Sequence, residues 1–122
     1  MLAIMNTVIE TYRIQFVTQL IHNHNRDLMH SVNGILDQFI DDFKTVSEIN
    51  DFLLVYINNI LTGISPRQTV ISESMVSAEM TLRITNLYAD PDYQPGDPPD
   101  FSLPTTHLKE IAEAWLDYLQ DK

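Results

Sequence analysis

Carboxylates gather at one place in this sequence. Asp90, Asp92, Asp97 and Asp100 fall in the stretch ADPDYQPGDPPDFSLP, residues 89–104, which carries five of the six prolines and no Lys or Arg. Oxygen ligands at short spacing invite a hard cation such as calcium. The spacing does not support one. In a calcium-loop register starting at Asp90, Pro95 sits where a glycine must turn the chain, and Phe101 where a bidentate glutamate must close the site. Recognition is the chemistry left. Proline restricts the unbound states of the loop, so less entropy is lost on docking. Four carboxylates with Tyr93 and Phe101 among them then offer a surface to the Arg and Lys groups of a partner. The alternative is a solvated connector that meets no partner.

Glu110, Glu113 and Asp117 follow at helical spacing and extend the acidity, so one negative patch from residue 89 onward is expected. Hydrolysis by a pair such as Glu110 with Glu113 would need a cleft and one buried member with a raised pKa, and the sequence provides neither. His22, His24 and His30 cluster in sequence. Residues two apart do not share a helix face, whereas a metal-binding helical pair sits four apart beside a glutamate. A solvated helix end is the better reading of these histidines, and His107 stands alone. The serines lie in no nucleophile-elbow setting, and Gly34, Gly63 and Gly96 are too scattered for a phosphate loop. No catalytic residue, metal or cofactor is expected.

Composition narrows the partners. Lys and Arg number 7 against 17 Asp and Glu, a net charge of −10, which disfavours nucleic-acid phosphates and anionic membrane surfaces. With no cysteine, disulfides, thiolate metal sites and cysteine nucleophiles are closed. The start MLAIMNTVIETYR has no basic leader, and no apolar run approaches the roughly 18 residues of a membrane span, so a soluble cytoplasmic protein is expected. At 122 residues, 44% hydrophobic and 20% charged, the chain 1–122 reads as a single domain with one core.

The elements that must position these residues follow from hydrophobic period. Val8, Ile9, Tyr12, Phe16, Val17, Leu20 and Ile21 predict a helix over residues 6–22, although their β-branched content also suits a strand. From an N-cap at Asp27, Leu28, Val32, Ile35, Leu36, Phe39, Ile40 and Phe43 predict a second, with Asp37, Asp41 and Asp42 on other faces. A third starts at Ser47, with Ile49, Phe52, Leu53, Tyr56, Ile57, Ile60 and Leu61 on its apolar side and Gly63 as its stop. The period then becomes two. Val76, Ala78, Met80, Leu82 and Ile84 alternate with polar residues in a strand, and residues 68–73 pair with it through a turn at Glu73-Ser74-Met75. After the proline-rich loop, Thr105 or Thr106 caps a last helix carrying Leu108, Ile111, Ala112, Trp115, Leu116 and Leu119. The expected architecture is α+β: three N-terminal helices, a small antiparallel sheet or β-hairpin, an acidic Pro-rich loop and a closing C-terminal helix.

One stretch has a familiar look. An alternating strand EMTLRITNLY, an acidic proline-containing loop and DFSLPTTHLKEIAEAWLDYLQ together resemble the ending of small immunity proteins from bacterial polymorphic-toxin and contact-dependent inhibition systems. The resemblance covers roughly the last forty-five residues and consists mostly of helix-cap and core chemistry. It implies a non-catalytic cytoplasmic inhibitor that binds one cognate toxin domain. Where such a toxin is a nuclease with a basic channel, an acidic surface would steer association and mimic phosphate. On that reading Asp90, Asp92, Tyr93, Asp97, Asp100 and Phe101 meet the partner, supported by Glu110, Glu113 and Asp117. The rival is a structural or adaptor module, with a homodimer formed on a sheet edge or on the third helix.

Overall fold

The computed structural model describes residues 2–121, with side chains from residue 7 onward. Helix α1 (Leu2–Thr11) stops early, and Arg13, at a left-handed φ of 53°, turns the chain into strand β1 (Gln15–Ile21). The helix expected over residues 6–22 is thus a helix followed by a strand. His22 and Asn23, with φ of 49° and 66°, make a two-residue turn of the type that matches strand twist. Strand β2 (His24–His30) returns antiparallel, with Ile21 opposite His24, so the polar run expected to end a helix is a hairpin tip. Val17, Thr18 and Ile21 favour extended backbone, and Phe16 packs on Trp115 and Tyr118 at centroid distances of 5.6 and 5.3 Å.

Two expected caps move. Asp27 lies opposite Thr18 in the hairpin and accepts its hydroxyl at 2.7 Å. Asn33 caps α2 (Gly34–Asp41) instead, accepting from the Ile35 and Leu36 amides at 2.9 and 3.1 Å. The next helix is capped by Thr45 rather than Ser47: its hydroxyl accepts from the Glu48 amide at 3.1 Å and donates to the Glu48 carboxylate at 3.0 Å. Helix α3 (Val46–Glu48), a π-helical turn (Ile49–Leu53) and α4 (Leu54–Leu61) then run on continuously, and Gly63 follows at φ 82°. The wider π turn rotates the apolar stripe. Ile49, Leu53, Leu54, Ile57 and Ile60 are buried, but Phe52, expected among them, is 56% exposed.

The larger sheet has the order β3 (Arg67–Ile71), β4 (Ser77–Thr81), β5 (Ile84–Tyr88), β6 (Phe101–Pro104), with every neighbour antiparallel. Of residues 68–73, Gln68–Ile71 pair with the alternating stretch, and Glu73 falls in the turn. That stretch, however, is two strands. It reverses at Leu82 and Arg83, where the Thr81 hydroxyl donates to the Ile84 carbonyl and accepts from its amide, at 3.0 and 3.3 Å. The proline-rich loop also ends sooner than residue 104, because Phe101–Pro104 forms an edge strand, where a missing proline amide costs no ladder bond.

Val70, Ala78, Met80, Leu87 and Leu103 are buried and share the sheet face by strand alternation and register; α2, α4 and α5 (Thr105–Gln120) contact these strands. Neither threonine caps α5. Pro104 holds the cap position, while the buried Thr105 hydroxyl donates to the Thr81 carbonyl at 2.7 Å and lies 2.9 Å from the Thr85 hydroxyl. Trp115 is fully buried, and its indole N–H donates to the Phe43 carbonyl at 2.7 Å. His107 is not isolated: its Nδ1 lies 2.7 Å from the Tyr12 hydroxyl. Asp42 departs most from expectation, being 6% exposed. Its carboxylate accepts from Gln38, from the Ser72 hydroxyl and from the Ser74 amide and hydroxyl, tying the end of α2 to the β3–β4 hairpin. Among the described residues, no helix is long and apolar enough to cross a membrane.

Candidate functional site

The aspartate loop, residues 89–100, lies over the sheet face opposite the helices. Strand alternation puts Glu79 and Tyr88 on that outer face, since their neighbours Ala78 and Leu87 point into the core. Tyr93 stacks on Tyr88 with centroids 4.0 Å apart and rings 6° from parallel, and its hydroxyl donates to the Glu79 carboxylate. Burial, reinforced by this bond to a carboxylate, pushes the Tyr93 phenol up to about 12, so it remains a donor through the physiological range. Tyr88 is raised in the same direction, by burial and then by the charges of Glu79 and Asp97.

Three of the four aspartates shape the loop that carries them. Asp90 accepts from the Asp92 amide at 2.8 Å, Asp97 from the Gln94 amide at 2.8 Å, and Asp100 from the Ala89 amide at 2.7 Å. The last bond closes the base of the loop, beside the Asp100 amide donating to the Leu87 carbonyl. Gly96 takes the positive φ of 93° between Pro95 and Asp97. All four aspartates are nevertheless exposed, and none makes an ion pair among the described residues. The result is a pinned loop with four uncompensated carboxylates.

Phe101 sits differently. It is half-buried on β6, edge-on to Tyr12 at 6.3 Å, and so contributes to packing. Glu110 and Glu113 are half-buried and Asp117 is exposed on α5. Glu113 and Asp117 line a groove with Asn50, Leu54, Val55 and Asn58, on the helical layer. The loop and the Glu113–Asp117 groove therefore occupy opposite sides of the sheet rather than one continuous patch.

Sequence reasoning missed the clamp of Glu79, Tyr88 and Tyr93. Alternation marks Glu79 as outward-facing, but the ring that covers it comes from a loop without periodicity. It also missed an open groove of about 640 Å³ at the far end of the sheet, lined by Pro66, Leu82, Arg83, Ile84, Leu103 and Pro104. Asp41 was unremarkable in sequence; burial, with Asp37 and Asp42 nearby, raises its carboxyl to about 6 although the Met29 amide donates to it at 2.6 Å. No group of three or more His, Asp or Glu side chains among the described residues is placed to hold a metal ion.

No family model, curated protein or solved structure matches this chain.

Proposed function

We propose that this protein is a non-catalytic inhibitor of the immunity type, acting in the cytoplasm, which binds a positively charged cognate toxin domain through the loop Asp90–Asp100. The observation that carries the reading is the loop itself: four exposed carboxylates with no ion pair among the described residues, on a backbone fixed by Asp90, Asp97 and Asp100 and clamped by Tyr93. A surface already folded before contact loses little entropy on docking, and its charge accelerates encounter with a basic partner. Glu110, Glu113 and Asp117 add to the long-range field of a chain with net charge −10. Tyr93 and Phe101 supply apolar area beside the charges, although each is already partly engaged within the fold.

Replacing the four aspartates together by asparagine tests this reading without dismantling the loop. Asparagine keeps an oxygen for the amides of Asp92, Gln94 and Ala89 while removing the charge. The assay takes as partner a candidate toxin domain sought in the neighbouring gene, measured by copurification and association rate. Association should slow by about ten- to a hundredfold on neutralisation, and the parent rate should fall steeply as salt rises past about 0.1 M. An unchanged rate with a bound toxin domain would refute the loop as the docking surface.

A further inference from the structure

We infer that the cavity between the π-helical turn and the β3–β4 hairpin is a binding site for an organic cation, namely an alkyl guanidinium or alkyl ammonium head. The cavity measures about 290 Å³ and is lined by Phe43, Phe52 and Tyr56 together with Asp42, Glu48 and Glu73. Three rings beside three carboxylates suit a cation with an apolar stem, because ring faces and carboxylates attract the charge and the rings also cover the methylenes. The volume sits just under the range of drug-sized pockets, which fits a single small head group.

Two further observations point to a cation. Asp42 is buried, and every donor to its carboxylate is neutral: Gln38, Ser72 and Ser74. No Lys, Arg or His among the described residues comes within ion-pair distance of it. Burial alone would raise this carboxyl, but the serine and glutamine hydrogen bonds hold it below the ordinary aspartate value, so the charge stays in place. Its oxygens are fully hydrogen-bonded, so this fixed negative charge acts on a cation in the cavity through its field and not by direct contact. Phe52, meanwhile, is a large ring left 56% exposed by the π turn, a helical irregularity frequent at functional sites. The nearby cation, Lys44, is occupied with Glu73 at 3.3 Å, in an exposed pair that is free to rearrange.

This site does not depend on the aspartate loop or on a toxin, so the two proposals fail separately. The test is a titration of the full chain followed by amide and indole NMR, using agmatine, a blocked Gly-Arg-Gly peptide and the same peptide with neutral citrulline. Trp115 provides an internal reporter, because its indole donates to the carbonyl of cavity residue Phe43. Shifts should appear at Phe43, Phe52, Tyr56 and the indole, with citrulline bound about tenfold more weakly. Agmatine binding identifies a free small cation as sufficient, and binding of the peptide alone identifies a protein side chain; either supports the site. Phe52→Ala removes an exposed ring, and Glu48→Gln keeps an acceptor for Thr45, so both variants should fold and each should weaken binding about three- to tenfold. The proposal is overturned if no cavity residue shifts at about 10 mM probe, if citrulline matches arginine, or if both variants bind like the parent.

Discussion

Asp41→Asn should stabilise the protein at neutral pH and leave it unchanged in acid. Asp41 ends α2 with its carboxylate half-buried, and burial, aided by Asp37 and Asp42, raises it from 3.8 to about 6. A carboxylate at a helix C-terminus also opposes the helix dipole. Between these two values the folded chain holds a proton that the unfolded chain has lost, so this group's contribution to stability declines as pH rises through about 6. At about 1.36 kcal/mol per pH unit the full penalty would be near 3 kcal/mol. Half the group is open to solvent, and screening reduces the expected gain on neutralisation to about 1 kcal/mol. Asparagine keeps an oxygen for the Met29 amide, so the charge is removed without orphaning that donor. Urea unfolding of both proteins from about pH 4 to pH 8 measures the difference, in which titrations uncoupled from Asp41 cancel. It should grow from near zero to about 1 kcal/mol across the window, and carboxyl NMR should place the Asp41 midpoint near 6. A difference independent of pH, or a loss that deepens as pH rises, would refute the reasoning.

Asp42 has the opposite sign: its depressed carboxyl stabilises the fold above the ordinary aspartate value, and the contribution disappears as pH falls through its lower folded one. Ser72→Ala should therefore cost about 1–3 kcal/mol by neutral-pH denaturation and progressively less below about pH 4. Tyr93→Phe keeps the stack on Tyr88 but loses the donor to Glu79, and should cost about 1 kcal/mol while speeding amide exchange across residues 89–100. In Trp115→Phe the Phe43 carbonyl loses its donor and a void opens in the core, for about 2–4 kcal/mol in urea midpoint. Asn33→Ala should cost about 1 kcal/mol, and Asn33→Asp should recover most of it.

Much of the candidate site was legible in sequence as composition. Prolines and aspartates without a basic residue mark 89–100 as an exposed acidic loop whatever the fold. Its fixation was not legible, since Tyr93 is held by Glu79 and Tyr88 across the sheet. Nor was its separation from Glu113 and Asp117, because sequence order places them close while the sheet stands between them. The cation cavity was hidden for a similar reason: the helix period assigned Phe52 to the core, and one π turn moved it out.

By itself the sequence determined the α+β class, the stop at Gly63, the pairing of β3 with β4 and the apolar side of α5, since each rests on local period or a residue with special backbone freedom. Tertiary structure decided the rest. Residues 15–21 suit either helix or strand locally, and the hairpin is selected where Phe16 reaches Trp115 and Tyr118, far along the chain. The turn at Leu82 and Arg83 leaves no break in a period of two, so only cross-strand register reveals it. Asp42 is polar in any sequence count, and it is buried because Ser72 and Ser74 of a distant hairpin satisfy its carboxylate there. Pairing, register and the burial of charge depend on partners that the linear neighbourhood does not contain.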